Sequence, residues 1–186
     1  MLFQIDDSIR RRAKTPHEIS MLNLMFFHLL LGAGTVVLLL TGAEIMQKVG
    51  NWGFALPLLA SLSVITFIHL KAARTAEHEH WFIAAHWRLA MKRSRLLLIA
   101  YAVTGVVIAG GFLIASGIDK KSMQDIVVTI ATRIGAVPTL LTVMVSFVLE
   151  SGSIYQAGRG EVPDGLVKKF PPPADVQPID GSAEAA

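Results

Sequence analysis

Histidine is the residue type through which this chain could do chemistry, and its six copies fall in suggestive places. His28 and His69 lie inside long apolar runs, where an ionisable side chain is costly and marks a functional candidate. On antiparallel neighbouring helices, two neutral imidazoles can face each other and ligate the iron of a b-type haem. Gly32, one turn beyond His28, leaves room there for a ring or for a close helix. The competing expectation is simple hydrogen bonding from His28 or His69 to Ser63, Thr66 or a backbone carbonyl on a neighbouring helix. His78, His80 and His86, with Glu77 and Glu79 interleaved, offer nitrogen and oxygen donors that suit Zn, Fe or Mn. Alternate residues on a helix point apart, so a solvated polar turn accommodates the same run.

Other chemistry is poorly provided for. Cysteine is absent, which excludes disulfides, thiolate zinc sites, cysteine-ligated iron–sulfur clusters and covalent haem attachment. A cofactor such as haem b would have to be held by His, Met, carboxylate or backbone. No catalytic constellation is legible, no catalytic residue is assigned, and enzyme activity is not expected. Glu44, Glu150 and Arg133 fall near the ends of apolar runs. A proton-coupled transporter usually buries a carboxylate near the membrane centre, often beside broken helices. No acidic residue is central here, which argues against transport by this chain alone.

The elements that must carry these residues are four apolar segments, Ile19–Ala43, Phe54–Leu70, Leu96–Ile118 and Ile134–Tyr155. Each is close to or above the ~17–25 residues an α-helix needs to cross a ~30 Å hydrocarbon layer. The chain is 53% hydrophobic, with a mean hydropathy of +0.54, high for a soluble domain. The expected fold is an all-α, four-transmembrane-helix bundle over residues 1–157. A cytoplasmic or interfacial helical hairpin joins the second and third spans.

Local signals refine the boundaries. Thr15-Pro16-His17-Glu18 reads as a capping box with Pro at the first helical position, so the first helix is expected to start there. Gly50-Asn51-Trp52-Gly53 is a turn. Leu58–Thr104 lacks Gly and Pro, so the second helix is expected to continue past Leu70 and to reverse within Thr75–His80. In Ile83–Arg95, Ile83, Trp87, Ala90 and Met91 form an apolar stripe, and Arg88, Lys92 and Arg95 a basic one. Such a helix suits a surface of anionic lipid, or extends the third span and packs on its neighbours. Met123–Val137 is an interfacial lead-in or the first turns of the fourth helix, with a kink expected at Pro138. Residues 158–186 are rich in proline and poor in apolar residues, and are expected to be disordered or polyproline-like.

Charge sets the expected orientation. Residues 1–18 carry four Lys or Arg, residues 71–95 six and the tail three, against Lys48, Lys120, Lys121 and Arg133 on the other side. The positive-inside rule then places both termini and the 71–95 hairpin in the cytoplasm, and the expected location is the inner membrane. Basic residues that flank apolar spans without a binding motif argue against nucleic acid as a partner. Small residues at Gly32, Gly34, Gly105, Ala109 and Gly111 permit close helix contact, within the chain or with a partner. The expected role is that of a non-catalytic accessory subunit of a larger membrane complex for secretion, conjugation or respiratory assembly. Its partners would be the bilayer, including anionic lipid, and other subunits or itself. The alternative is the b-type cytochrome of His28 and His69.

Overall fold

The structure is a computed structural model that describes residues 1–32 and 52–179. It is all-helical. Helix α1 covers Asp7–Asn23 and continues as a π-helical segment, Leu24–Gly32. Helices α2 (Trp52–His78), α3 (Trp81–Ser116) and α4 (Lys121–Arg159) follow, then the single turn α5 (Asp164–Val167). Three helical stretches, Ala55–Thr75, Trp81–Ser116 and Lys121–Arg159, are long and apolar enough to cross a membrane. The first expected span, Ile19–Ala43, is described only as far as Gly32, and Gly34 lies outside the described residues.

Several boundaries differ from expectation. Helix α1 begins eight residues before Thr15, at Asp7, whose carboxylate suits the positive end of the helix. Pro16 is therefore inside the helix, not at its first position. Local capping lost to packing: Ala13 on the earlier turn is fully buried and Ile9 packs against the same core, and tertiary contact outweighs local signals in a short helix. The reversal between α2 and α3 takes only Glu79 and His80. His80 Nδ1 accepts the backbone N–H of Phe82 at 3.2 Å and so caps α3. The Met123–Val137 segment belongs to α4, which holds Pro138 in its interior.

Two compact units are distinguished, Met1–Lys92 with Phe147–Ala186, and Arg93–Ser146. The first has an aromatic core. Phe3, Trp81, Phe82 and Trp87 are buried with Ile68, Ala90, Ala157, Val162 and Val176. Residues 1–3 and 160–179 join it. The Phe3 N–H donates to Gly160 O, Val162 N–H to Met1 O and Ile179 N–H to Leu2 O, each at 2.9 Å. Gly160 sits at φ +80°, where a Cβ would also press on the Phe3 carbonyl. The Trp81 indole N–H donates to Phe170 O at 3.1 Å, the two rings stack, and the Arg88 guanidinium lies 3.8 Å above Phe170.

The tail, expected to be disordered or polyproline-like, makes contacts with the core and the N-terminal residues through Ile179. Its few apolar residues could not build a core, but Val162, Val167, Phe170 and Val176 complete one that α1, α2 and α3 have begun.

In Arg93–Ser146, α3 and α4 meet through small groups. A side chain at Gly111 would collide with the Ala131 methyl. The Thr104 hydroxyl lies 2.6 Å from Gly135 O and 2.8 Å from the Thr139 hydroxyl. The outward faces are apolar: Val106 and Leu113 on α3 are 73% and 76% exposed.

Candidate functional site

Helix α1 buries Ala13, Pro16, His17, Ser20 and Asn23, and Leu24 at the start of the π-helical segment continues the face. Their three- and four-residue spacing makes one stripe, and half of it is polar. Helix α3 buries Phe82, Ile83 and His86, and α4 buries Glu150, Ser153 and Ala157. Where these faces meet, His17 Nδ1 lies 2.5 Å from Glu150 Oε2, and His17 Nε2 lies 3.0 Å from His86 Nδ1. The two imidazole rings are perpendicular, with centroids 5.2 Å apart, and Phe82 packs its edge against His86 at 4.7 Å. One chain of hydrogen bonds thus links three helices through residues 17, 86 and 150.

The side chains of His17 and Glu150 are 0% and 3% exposed, and His86 is fully buried. Among the described residues these are the three buried ionisable side chains. An ionised carboxylate accepts hydrogen bonds and cannot donate them, so His17 Nδ1 carries the proton toward Glu150. The proton between the two imidazoles can sit on either nitrogen. Further along α1, Ser20 donates to Pro16 O at 3.0 Å. The side-chain oxygen of Asn23 is buried with no protein donor among the described residues.

The expected sites fare differently. His78, His80 and His86 are not gathered into a metal-holding group among the described residues. His80 caps α3 and His86 faces His17. His28, in the π-helical segment, donates from Nδ1 to Asn23 O at 3.2 Å, and His69 from Nδ1 to Ile65 O at 2.9 Å. These carbonyls lie earlier in the same helical runs, not on neighbouring helices. Ser63 and Thr66 likewise donate within α2, to Leu59 O and Leu62 O. Ile83, Trp87 and Ala90, the apolar stripe that could have lain on lipid, are buried in protein. Of the basic stripe, Arg88 sits on Phe170, whereas Lys92 and Arg95 are exposed. Among the expected packing residues, Gly111 meets Ala131. A side chain at Gly105 would meet nothing within 4 Å, and Ala109 is exposed. Gly32 closes the π-helical segment.

The Glu150–His17–His86 chain is not legible as a unit in the sequence, where His17 falls in the Thr15–Glu18 capping signal, His86 beside the His78 and His80 donors, and Glu150 near the end of an apolar run. The available signal was the polar stripe His17, Ser20, Asn23 at helical spacing, which in an apolar bundle implies polar partners opposite.

No protein-family model, curated protein or solved structure matches this chain.

Proposed function

We propose that this protein is a four-span integral protein of the inner membrane, with both termini cytoplasmic, acting as a non-catalytic accessory subunit of a larger membrane complex. The observation that carries the reading is the inverted distribution of polarity. Large apolar side chains such as Ile99, Val106, Leu113, Ile134 and Val148 are exposed, while His17, His86 and Glu150 are buried. A lipid solvent favours that arrangement, and water opposes it. A subunit role draws on Ala102, Gly105 and Ala109, a small-residue face of α3 that is exposed. Such faces let a second helix approach closely in lipid. Complexes for secretion, conjugation or respiratory assembly would all accommodate such a subunit. The exposed Lys92 and Arg95 suit anionic headgroups, each contributing about 1 kcal/mol near the surface.

Purification in mild detergent followed by native mass measurement tests the proposal. The expected result is co-purification with another chain or with further copies of this one. A monodisperse single chain of 20.1 kDa protein mass would contradict it.

The second reading, a b-type cytochrome, draws on the Nδ1 bonds of His28 and His69. Haem-ligating imidazoles commonly donate one ring nitrogen to a carbonyl and ligate through the other. A Soret band abolished by His28→Ala or His69→Ala would support it, and a colourless preparation from haem-replete cells would end it.

A further inference from the structure

We propose that the groove between α3 and α4, beside the turn that joins them, binds one phospholipid with a zwitterionic headgroup carrying a primary ammonium, of the ethanolamine type. The proposal rests on the membrane reading above and adds a particular headgroup at a particular place. Helix α3 ends at Ser116 and α4 begins at Lys121, and both are long and apolar enough to cross a membrane. This end of the pair therefore sits where hydrocarbon gives way to water. The groove there has a volume of about 510 Å³.

Polarity changes along the groove. Near the turn its lining is Ser116, Lys121, Gln124 and Asp125; deeper, it is Phe112, Ala115 and Val128. At 1.5 Å per residue, Val128 is about 10 Å along α4 from Lys121. Deeper again, Gly111 meets the Ala131 methyl and the two helices close on each other. A charged mouth over an apolar floor matches a molecule that is polar at one end and apolar at the other. A free ion would leave the floor unused, whereas an acyl chain covers it.

Charge selects the headgroup. Lys121 Nζ lies 2.7 Å from Asp125 Oδ1, with side chains 80% and 62% exposed. An exposed i, i+4 pair adds little to a helix, and Lys before Asp is its weaker order. A ligand carrying both signs can take over both partners at small cost, its phosphate on Lys121 and its ammonium on Asp125. Asp119 and Lys120 in the turn add one charge of each sign, so the mouth is neutral as a whole. A net anionic headgroup would gain Lys121 but repel Asp125. The acceptors select the amine. Gln124 donates its amide N–H to Ile118 O at 2.6 Å, which leaves its amide oxygen to accept beside the Asp125 carboxylate. Acceptors reward N–H donors, which a primary ammonium has and a quaternary one lacks. Quaternary ammonium groups are held by cages of aromatic rings, and Phe112 is the single ring in this lining.

The test is native mass spectrometry of the full-length, delipidated protein in detergent, titrated separately with ethanolamine, choline and glycerol phospholipids of identical acyl chains. One ethanolamine phospholipid is expected to bind about fivefold more tightly than the choline lipid, the ratio that one partly solvated ion pair supplies. In Asp125→Asn the two should bind alike. Lys121→Gln should weaken both by a similar factor, because both carry the phosphate. Both side chains are exposed, so the variants are expected to fold. Phosphoethanolamine without acyl chains should not compete at the same concentration. Absence of a lipid adduct, equal binding of the three lipids, a preference for the glycerol lipid, or an ethanolamine preference that survives Asp125→Asn would overturn the proposal. Full competition by phosphoethanolamine would overturn it too, since the site would then take the headgroup alone. Failure of the membrane reading shows separately, as protein recovered in the soluble fraction without detergent, and would remove both.

Discussion

In Met1–Lys92 with Phe147–Ala186, the helices are joined by large and polar groups: Trp81, Phe82 and Trp87 in the core, and Glu150, His17 and His86 in one hydrogen-bonded chain. In Arg93–Ser146, α3 and α4 meet through Gly111 against Ala131 and through Thr104 against Gly135 and Thr139. The first resembles the core of a water-soluble domain, with residues 1–3 and 160–179 bonded into it. The second resembles helix association in lipid, where burial of apolar surface gives little and close backbone approach supplies the contact. The composition differs accordingly, from aromatic and ionisable residues in the first unit to small and aliphatic ones in the second.

The largest effect expected from breaking this contrast is at Glu150. Glu150→Ala strips the buried histidines of their carboxylate, and removing one partner of a buried pair costs about 3–5 kcal/mol. The thermal midpoint of the reconstituted protein should fall sharply. A change no larger than that of an exposed substitution such as Glu18→Ala would show that the chain of hydrogen bonds does not hold the first unit together.

Gly111→Val probes the other regime. The new side chain must displace Ala131, and overpacking of this kind costs about 1–3 kcal/mol. Gly105→Val should leave stability within about 0.5 kcal/mol, as at other sites that touch nothing. The same change should reduce recovery of any co-purifying chain. Equal stability losses at 105 and 111, read by thermal denaturation, would erase the distinction between an internal and an external small-residue face.

How much of this was legible in the sequence depends on range. The apolar runs behind α2, α3 and α4 were plain, because a span is written in contiguous residues. The start of α1 was not: Thr15-Pro16-His17-Glu18 is a valid local signal, overruled by the burial of Ala13 and the packing of Ile9. The order of the tail was hidden for a similar reason, since Val162, Phe170 and Val176 are too few to fold alone and are stabilised by partners far away in sequence. The site was least legible. Residues 17, 86 and 150 come together only once the phases of three helices are known, whereas the closely spaced His78 and His80 end as the last residue of α2 and the cap of α3.

Smaller effects belong to the tail. Phe170→Ala removes its stacking on Trp81 and the cation–π contact with Arg88, a loss of about 0.5–1.5 kcal/mol beyond the area involved. It should speed limited proteolysis after residue 160 while leaving α3 intact, and an unchanged cleavage rate would argue that the tail is held elsewhere. Smallest is the link between Asp164 and the amino group of Met1, 2.7 Å apart. The hydrogen bond and charge of that ammonium hold the Asp164 carboxyl below its usual range. A lowered carboxyl means stability that is present above the ordinary carboxylate range and lost as pH falls through the folded value. Wild type and Asp164→Asn should therefore converge in thermal midpoint under acid conditions and differ slightly at neutral pH.

The account rests most heavily on direct coupling between α1 and α4 inside the first unit, and a double-mutant cycle on His17→Ala and Glu150→Ala in nanodiscs measures it. Residues in one buried hydrogen-bonded pair should couple by about 1–3 kcal/mol, so that the double variant is far less damaged than the sum of the singles. Single-variant losses that add within about 0.5 kcal/mol would mean that His17 and Glu150 act independently, and the three-helix site would not exist as described.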